Sequence, residues 1–154
     1  MTPSAFGDVN KAYKIWYDLM GDEYIELMGH YIGTTVDEAV KIRDEHIDRV
    51  NFYRLLHGVP GVKMHEELNE LAQMLANYIV LTNLYEHGPT KTVFSENLCL
   101  IKYPNEAGRN AADLYYDEFF ILDEFGNTFN FHGTESEMLK DAESGFRGHA
   151  LHMI

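Results

Sequence analysis

Few positions in this chain combine the residue types and spacing that chemistry requires. His65 and Glu66 open the stretch HEELNE (65–70), which stops one residue short of the His-Glu-x-x-His zinc motif. Position 69 is Asn, so no second imidazole follows one helical turn later, and the pair reads as solvated first-turn residues. Cys99 is the only cysteine. That excludes an internal disulfide and a Cys-based zinc site. A catalytic thiol needs a stabilised thiolate, whereas Cys99 lies between Leu98 and Leu100 and reads as a buried, inert thiol. Glu96 is harder to set aside. It falls in the apolar run TVFSENLCLI (92–101), where a buried carboxylate is costly without a partner. On their own, His87 reads as a capping residue just past a helix end, and Glu118 as a solvent-facing helix residue. His149, near the terminus, is silent.

These residues must be held by elements whose signals are local. Residues 8–29 carry apolar and aromatic positions at helical spacing, and Gly21 is expected to divide them into two short helices. After the turn at Gly33, Thr35 and Glu38 have capping-box spacing, which starts a helix at Val36. Val36, Ala39, Val40, Ile47, Val50 and Tyr53 are expected to line its buried face. It should end at His57, because Gly58 takes the left-handed conformation and Pro60 cannot continue a helix. The next helix covers about residues 65–85 and is closed by Gly88-Pro89. Its apolar face holds Leu68, Leu71, Ala72, Leu75, Ala76, Ile79 and Leu84. Residues 92–101 read as extended. Asn105 caps a helix over roughly 106–120, TFNF (128–131) is a short strand candidate, and FRGHALHMI (146–154) could open another.

With 154 residues the chain is long enough for one domain with a substantial core. A formal net charge of −13 argues against nucleic acid and anionic membrane as partners, and leaves divalent cations, basic partners and neutral lipids open. No apolar run reaches transmembrane length. The start MTPSAFGDVN has neither the basic end nor the apolar core of a signal peptide, which leaves localisation unknown but leaning intracellular.

The segment VNFYRLLHGVPGVKMHEELNELAQMLANY (50–78) resembles the first helices of the CAP superfamily: cysteine-rich secretory proteins, antigen 5 and plant pathogenesis-related proteins. Asn51, Arg54, His57, Gly58, Pro60, Leu68, Ala72 and Gln73 stand in the family's register, with Val50 in place of its usual leading His. LYEHGPTK resembles the family's histidine after the second helix. SENL resembles its Gly-Glu-Asn-Leu motif, with Ser95 for Gly, and ADLYYDEF resembles the helix bearing its second glutamate. GHALHMI resembles the start of its Gly-His-Phe-Thr-Gln signature, although Ala150, Leu151 and His152 depart from it.

The resemblance implies an α+β fold, a CAP-like α-β-α sandwich that is mostly helical with a reduced or incomplete antiparallel sheet. It would span residues 36–154, incomplete at the C-terminus, behind an N-terminal helical extension at 1–35. It places the family's cavity tetrad on His87, Glu96, Glu118 and His149, a donor set suited to zinc or another divalent cation. The implied function is non-enzymatic binding of a lipid, a sterol or a protein partner, with a homo-oligomer also open. Two alternatives stand beside it. One is a metal-dependent hydrolase using Glu96 or Glu118 as base, although no nucleophile or oxyanion hole is recognisable. The other is a degenerate module acting only as an interaction surface. His57 reads as a helix-end packing residue, and Trp16 as core.

Overall fold

The computed structural model of the chain describes residues 9–118 and Met153. The described residues form five helices: α1 (Val9–Met20), α2 (Asp22–Leu27), α3 (Val36–Leu56), α4 (Glu66–Thr82) and α5 (Ala107–Asp117). The chain divides into two compact units, Met1–Ala39 with Met64–Leu98 and Val40–Lys63 with Cys99–Ile154. None of the helices among the described residues is long and apolar enough to cross a membrane.

In the first unit, α1 and α2 are separated where Gly21 adopts φ 58°, as the sequence predicts. Ala12 and Trp16 of α1 are fully buried against Leu71, Met74 and Leu75 of α4. The Trp16 ring meets Tyr78 edge-on, with centroids 5.4 Å apart. Burying an indole and its aliphatic neighbours gives this unit its main apolar driving force. Asn77 lies on the same helix, only 1% exposed, and ties down the segment after α2. Its Nδ2 donates to the carbonyls of Leu27 (3.3 Å) and His30 (2.9 Å), and its Oδ1 accepts from the Ile32 amide (3.1 Å).

The expected capping box opens α3. The Glu38 amide donates to Thr35 Oγ1 (3.2 Å), and the Thr35 amide donates back to Glu38 Oε2 (3.0 Å). The Thr35 amide, with the Thr34 and Thr35 hydroxyls, holds the Glu38 carboxyl below its usual range. At the other end, the Val59 amide reaches the Arg54 carbonyl (3.1 Å) and the Gly58 amide the Leu55 carbonyl (3.0 Å). These are the paired bonds of a Schellman ending. Gly58 stands at φ 68°, and nothing lies within 4 Å of where its Cβ would be. Replacing Gly58 with Val should therefore destabilise through backbone strain alone, by about 1 kcal/mol or more. Thermal melting checks this, and an unchanged melting temperature would refute the assignment.

The second unit packs Val50 and Tyr53 of α3 against Ala112, Tyr115 and Tyr116 of α5, with Met153 in the same cluster. Tyr53 and Tyr116 stack at 3.7 Å between ring centroids. Arg49 Nε and the Tyr53 hydroxyl both donate to Asp113 Oδ1, at 2.6 and 2.5 Å. Burial and the Asp113 contact push the Tyr53 phenol up to about 12. Burial of Asp113 acts to raise its carboxyl, but the bonds from Arg49 and Tyr53 outweigh it and hold the group below the usual range.

Several sequence expectations are corrected. The described residues form helices and no strand, so the α+β fold with an α-β-α sandwich is not what they show. Residues 89–94 are in turns instead, closed by the Lys91 amide to Gly88 O and the Val93 and Phe94 amides to Thr90 O. Residues 95–101 run on without regular structure. A strand needs a neighbour to satisfy its backbone, and none of the described residues supplies one. The other strand candidates, 128–131 and most of 146–154, lie outside the described residues.

α4 ends at Thr82 rather than about residue 85, because Asn83 takes the left-handed conformation (φ 55°) and its amide bonds to Ile79 O at 2.8 Å. Ala72, Ala76 and Leu84 are exposed, not part of a buried face. α5 begins after Glu106 (φ 56°) instead of an Asn105 cap, since a turn from Pro104 O to the Ala107 amide precedes it. On α3, Ala39, Val50 and Tyr53 are buried as expected, whereas Val36 and Val40 are exposed.

Candidate functional site

α4 stops at Thr82, and a short irregular segment carries the chain to His87 and the Gly88-Pro89 turn. The turns over 89–94 then bring Glu96 back beside it. His87 Nδ1 lies 2.8 Å from Glu96 Oε1, and the Gly88 amide donates to the same oxygen at 3.0 Å. The side chains are 42% and 18% exposed respectively. The carboxylate that the sequence marked as needing a partner thus has two. An ionised carboxylate only accepts, so Nδ1 carries the proton and Nε2 is the ring nitrogen left to accept or ligate.

Gly88 is closely surrounded. A Cβ there would sit 3.1 Å from Leu75 Cδ1 and 3.3 Å from Glu96 Oε2, so a side chain would press on the α4 wall and the carboxylate together. To a divalent ion these two residues would supply one imidazole ligand and its support. A carboxylate orienting an imidazole through one nitrogen leaves the other aimed and basic, which is the usual support of a histidine ligand.

The other two tetrad members fall in the second unit's stretch of chain. Glu118 caps the C-terminal end of α5 in the second unit and is half-buried. His149 lies outside the described residues. Among the described residues, no three His, Cys, Asp or Glu side chains gather as metal ligands.

Residues outside the site take structural roles. His65 precedes α4 as its N-cap residue and makes no side-chain cap bond, while Glu66 is exposed. His57 Nε2 meets the Tyr116 hydroxyl at 3.0 Å, with its ring edge-on to that tyrosine, and is a packing residue as expected. Cys99 is half-buried against the second unit's core. The motif residues Asn51 and Arg54 hold the helix-ending join. Asn51 exchanges two hydrogen bonds with the Val62 backbone (2.7 and 2.9 Å), and Arg54 Nε donates to Pro60 O at 2.6 Å. The register that carries the resemblance is therefore a device of folding. The Arg49–Asp113–Tyr53 group was not anticipated, since no local pattern in the sequence joins residues some sixty positions apart.

No family model matches the chain, and no solved structure matches it. A curated relative does, and its name carries the pathogenesis-related class to which the motif register pointed. That relative is the Golgi-associated plant pathogenesis-related protein 1 of Homo sapiens, 31% identical over 80 residues. The alignment covers 51% of this chain and 51% of the relative, so the chain matches about half the relative's length.

Proposed function

We propose that the chain is a CAP-like, non-enzymatic binding domain whose His87–Glu96 pair forms one wall of a cation-holding cavity. In this reading residues 36–154 make up the domain and 1–35 its N-terminal helical extension. The observation that carries the proposal is the shared oxygen: Glu96 Oε1 holds both the His87 ring and the Gly88 amide, and leaves Nε2 for a ligand. The likeness to the pathogenesis-related protein supports the same reading.

His87 would hold zinc or another divalent cation through Nε2, and the resemblance adds Glu118 and His149 to the donor set. Glu96 would fix the His87 ring for that role. A bound ion supplies positive charge to a chain of net charge −13 and anchors a polar head or a partner's carboxylate there. The ligand class is a neutral lipid or sterol, or a protein partner, in keeping with that acidity. The hydrolase alternative, with Glu96 or Glu118 as base, is not adopted, because no observation favours it over the binding reading.

Calorimetry with zinc tests this. His87→Ala should weaken binding at least about tenfold, and Glu96→Gln by about tenfold through loss of ring orientation. His65→Ala should leave it unchanged. Affinity should fall on acidification, because only the neutral imidazole binds. Equal affinities for the His87 and His65 variants would end the proposal.

A further inference from the structure

We propose that the cavity between α3 and the start of α5 binds a small zwitterion, a free amino acid whose ammonium meets Glu45 and Asp48 and whose carboxylate meets Arg109. The site lies wholly within the second unit and is independent of the His87–Glu96 pair.

The cavity has a volume of about 350 Å³, the scale of a small-molecule site. α3 supplies one stripe to it, Glu45, Asp48, Arg49 and Phe52, which recur at helical spacing. α5 supplies Glu106, its N-cap residue, and Arg109 in its first turn. The two helices are in contact beside it, where Gly108 faces the Ile42 carbonyl.

Charges of both signs thus line one space, yet they do not neutralise one another. Arg49 is committed elsewhere. Its Nε donates to Asp113 Oδ1 at 2.6 Å, and its guanidinium lies over the Phe52 and Tyr53 rings, 4.7 and 4.9 Å from their centroids. Asp48, Glu106 and Arg109 enter no ion pair among the described residues. Glu45 has Lys41 at 3.6 Å on Oε1, while its Oε2 is shielded from solvent and finds no donor among the described residues. A carboxylate oxygen left in that state is costly, and a turn of the side chain toward the cavity would give it a ligand's N–H. Arg109 faces the opposite difficulty. A cation in the first turn opposes the helix dipole, and a carboxylate bound to its guanidinium removes that conflict.

The occupant must be larger than an ion. Glu45, Asp48 and Glu106 do not gather as ligands of one metal, and a bare cation leaves Arg109 unmet. A molecule with an ammonium and a carboxylate a few atoms apart meets both signs at once. Phe52, 43% exposed, offers an apolar surface to its side chain, so leucine is the probe.

Calorimetry on the full chain compares L-leucine with its two halves: isoamylamine, which lacks the carboxylate, and isocaproate, which lacks the ammonium. Leucine should bind saturably, and each half at least about tenfold more weakly. Arg109→Gln should weaken leucine by at least about tenfold and leave the amine unchanged. Asp48→Asn should weaken leucine and the amine alike. Both positions are exposed, and an unchanged melting temperature verifies the fold of each variant. If either variant unfolds, amide chemical shifts of the unmodified chain decide. Leucine should then move the signals of Glu45–Phe52 and Glu106–Arg109 and leave those of His87–Glu96 in place. No leucine binding, equal binding of leucine and the amine, folded variants that bind as the parent does, shifts confined to other residues, or displacement of leucine by calcium would each overturn the proposal.

Discussion

Replacing Gly108 with Ala should unpack the second unit. An alanine in the first turns of a helix ordinarily gains stability over glycine, by about 1 kcal/mol. Here the sign should reverse. A Cβ on Gly108 would lie 1.9 Å from the Ile42 carbonyl oxygen and 2.9 Å from the His46 amide nitrogen, both backbone atoms that cannot rotate away. The same crossing of α3 and α5 is fixed by His46 Nδ1, which donates to Gly108 O at 2.9 Å. To admit one methyl group the helices must separate, and the stacked Tyr53–Tyr116 pair with its Asp113 bonds is lost with them. The expected cost exceeds about 3 kcal/mol, above the usual range for overpacking, because the neighbour is main chain. Denaturant unfolding with near-ultraviolet circular dichroism measures it. A variant as stable as the parent would mean that α3 and α5 do not cross at this glycine.

Asn77→Leu should be nearly as damaging in the first unit. Leucine has the same branching and better helix propensity, so α4 itself predicts no loss, although its bulkier methyl groups add some overpacking at this buried site. What disappears is the partner of three backbone groups, Leu27 O, His30 O and Ile32 N, and of the Gln73 amide (3.1 Å). Each buried group left without a partner costs about 1–3 kcal/mol, less where water can reach it. A total near 3 kcal/mol is expected, read as a lowered denaturation midpoint at constant slope. A loss under about 0.5 kcal/mol would show that the segment after α2 holds itself in place.

The two substitutions also mark where the sequence stopped being readable. Gly21, the Thr35–Glu38 box and Gly58 were legible because each acts through its own backbone and its nearest neighbours. Asn83 was not. An asparagine ends a helix left-handed only when the following chain has somewhere to go, and here it turns toward His87 well before Gly88. Asn77 carries no local signal of its role, since its three main partners lie some 45–50 residues away. The strand expectation failed for a similar reason: extended propensity in 92–101 says nothing about which chain pairs with it. For the site, a carboxylate in an apolar run announced that it needed a partner. Only the family register named His87 for that role. The same register placed Glu118 on an element of the other unit, and His149 falls outside the described residues.

The first unit is assembled from two stretches with a piece of the second unit between them, and this bears on how the chain is born. Synthesis is vectorial, so Trp16 leaves the ribosome about 55 residues ahead of Leu71. At roughly 5–20 residues per second that interval lasts about 3–11 s. Throughout it, the α1 stripe of Ala12, Trp16 and Met20 has no groove to enter. The nascent chain therefore carries an uncovered apolar stripe until α4 has emerged to cover it.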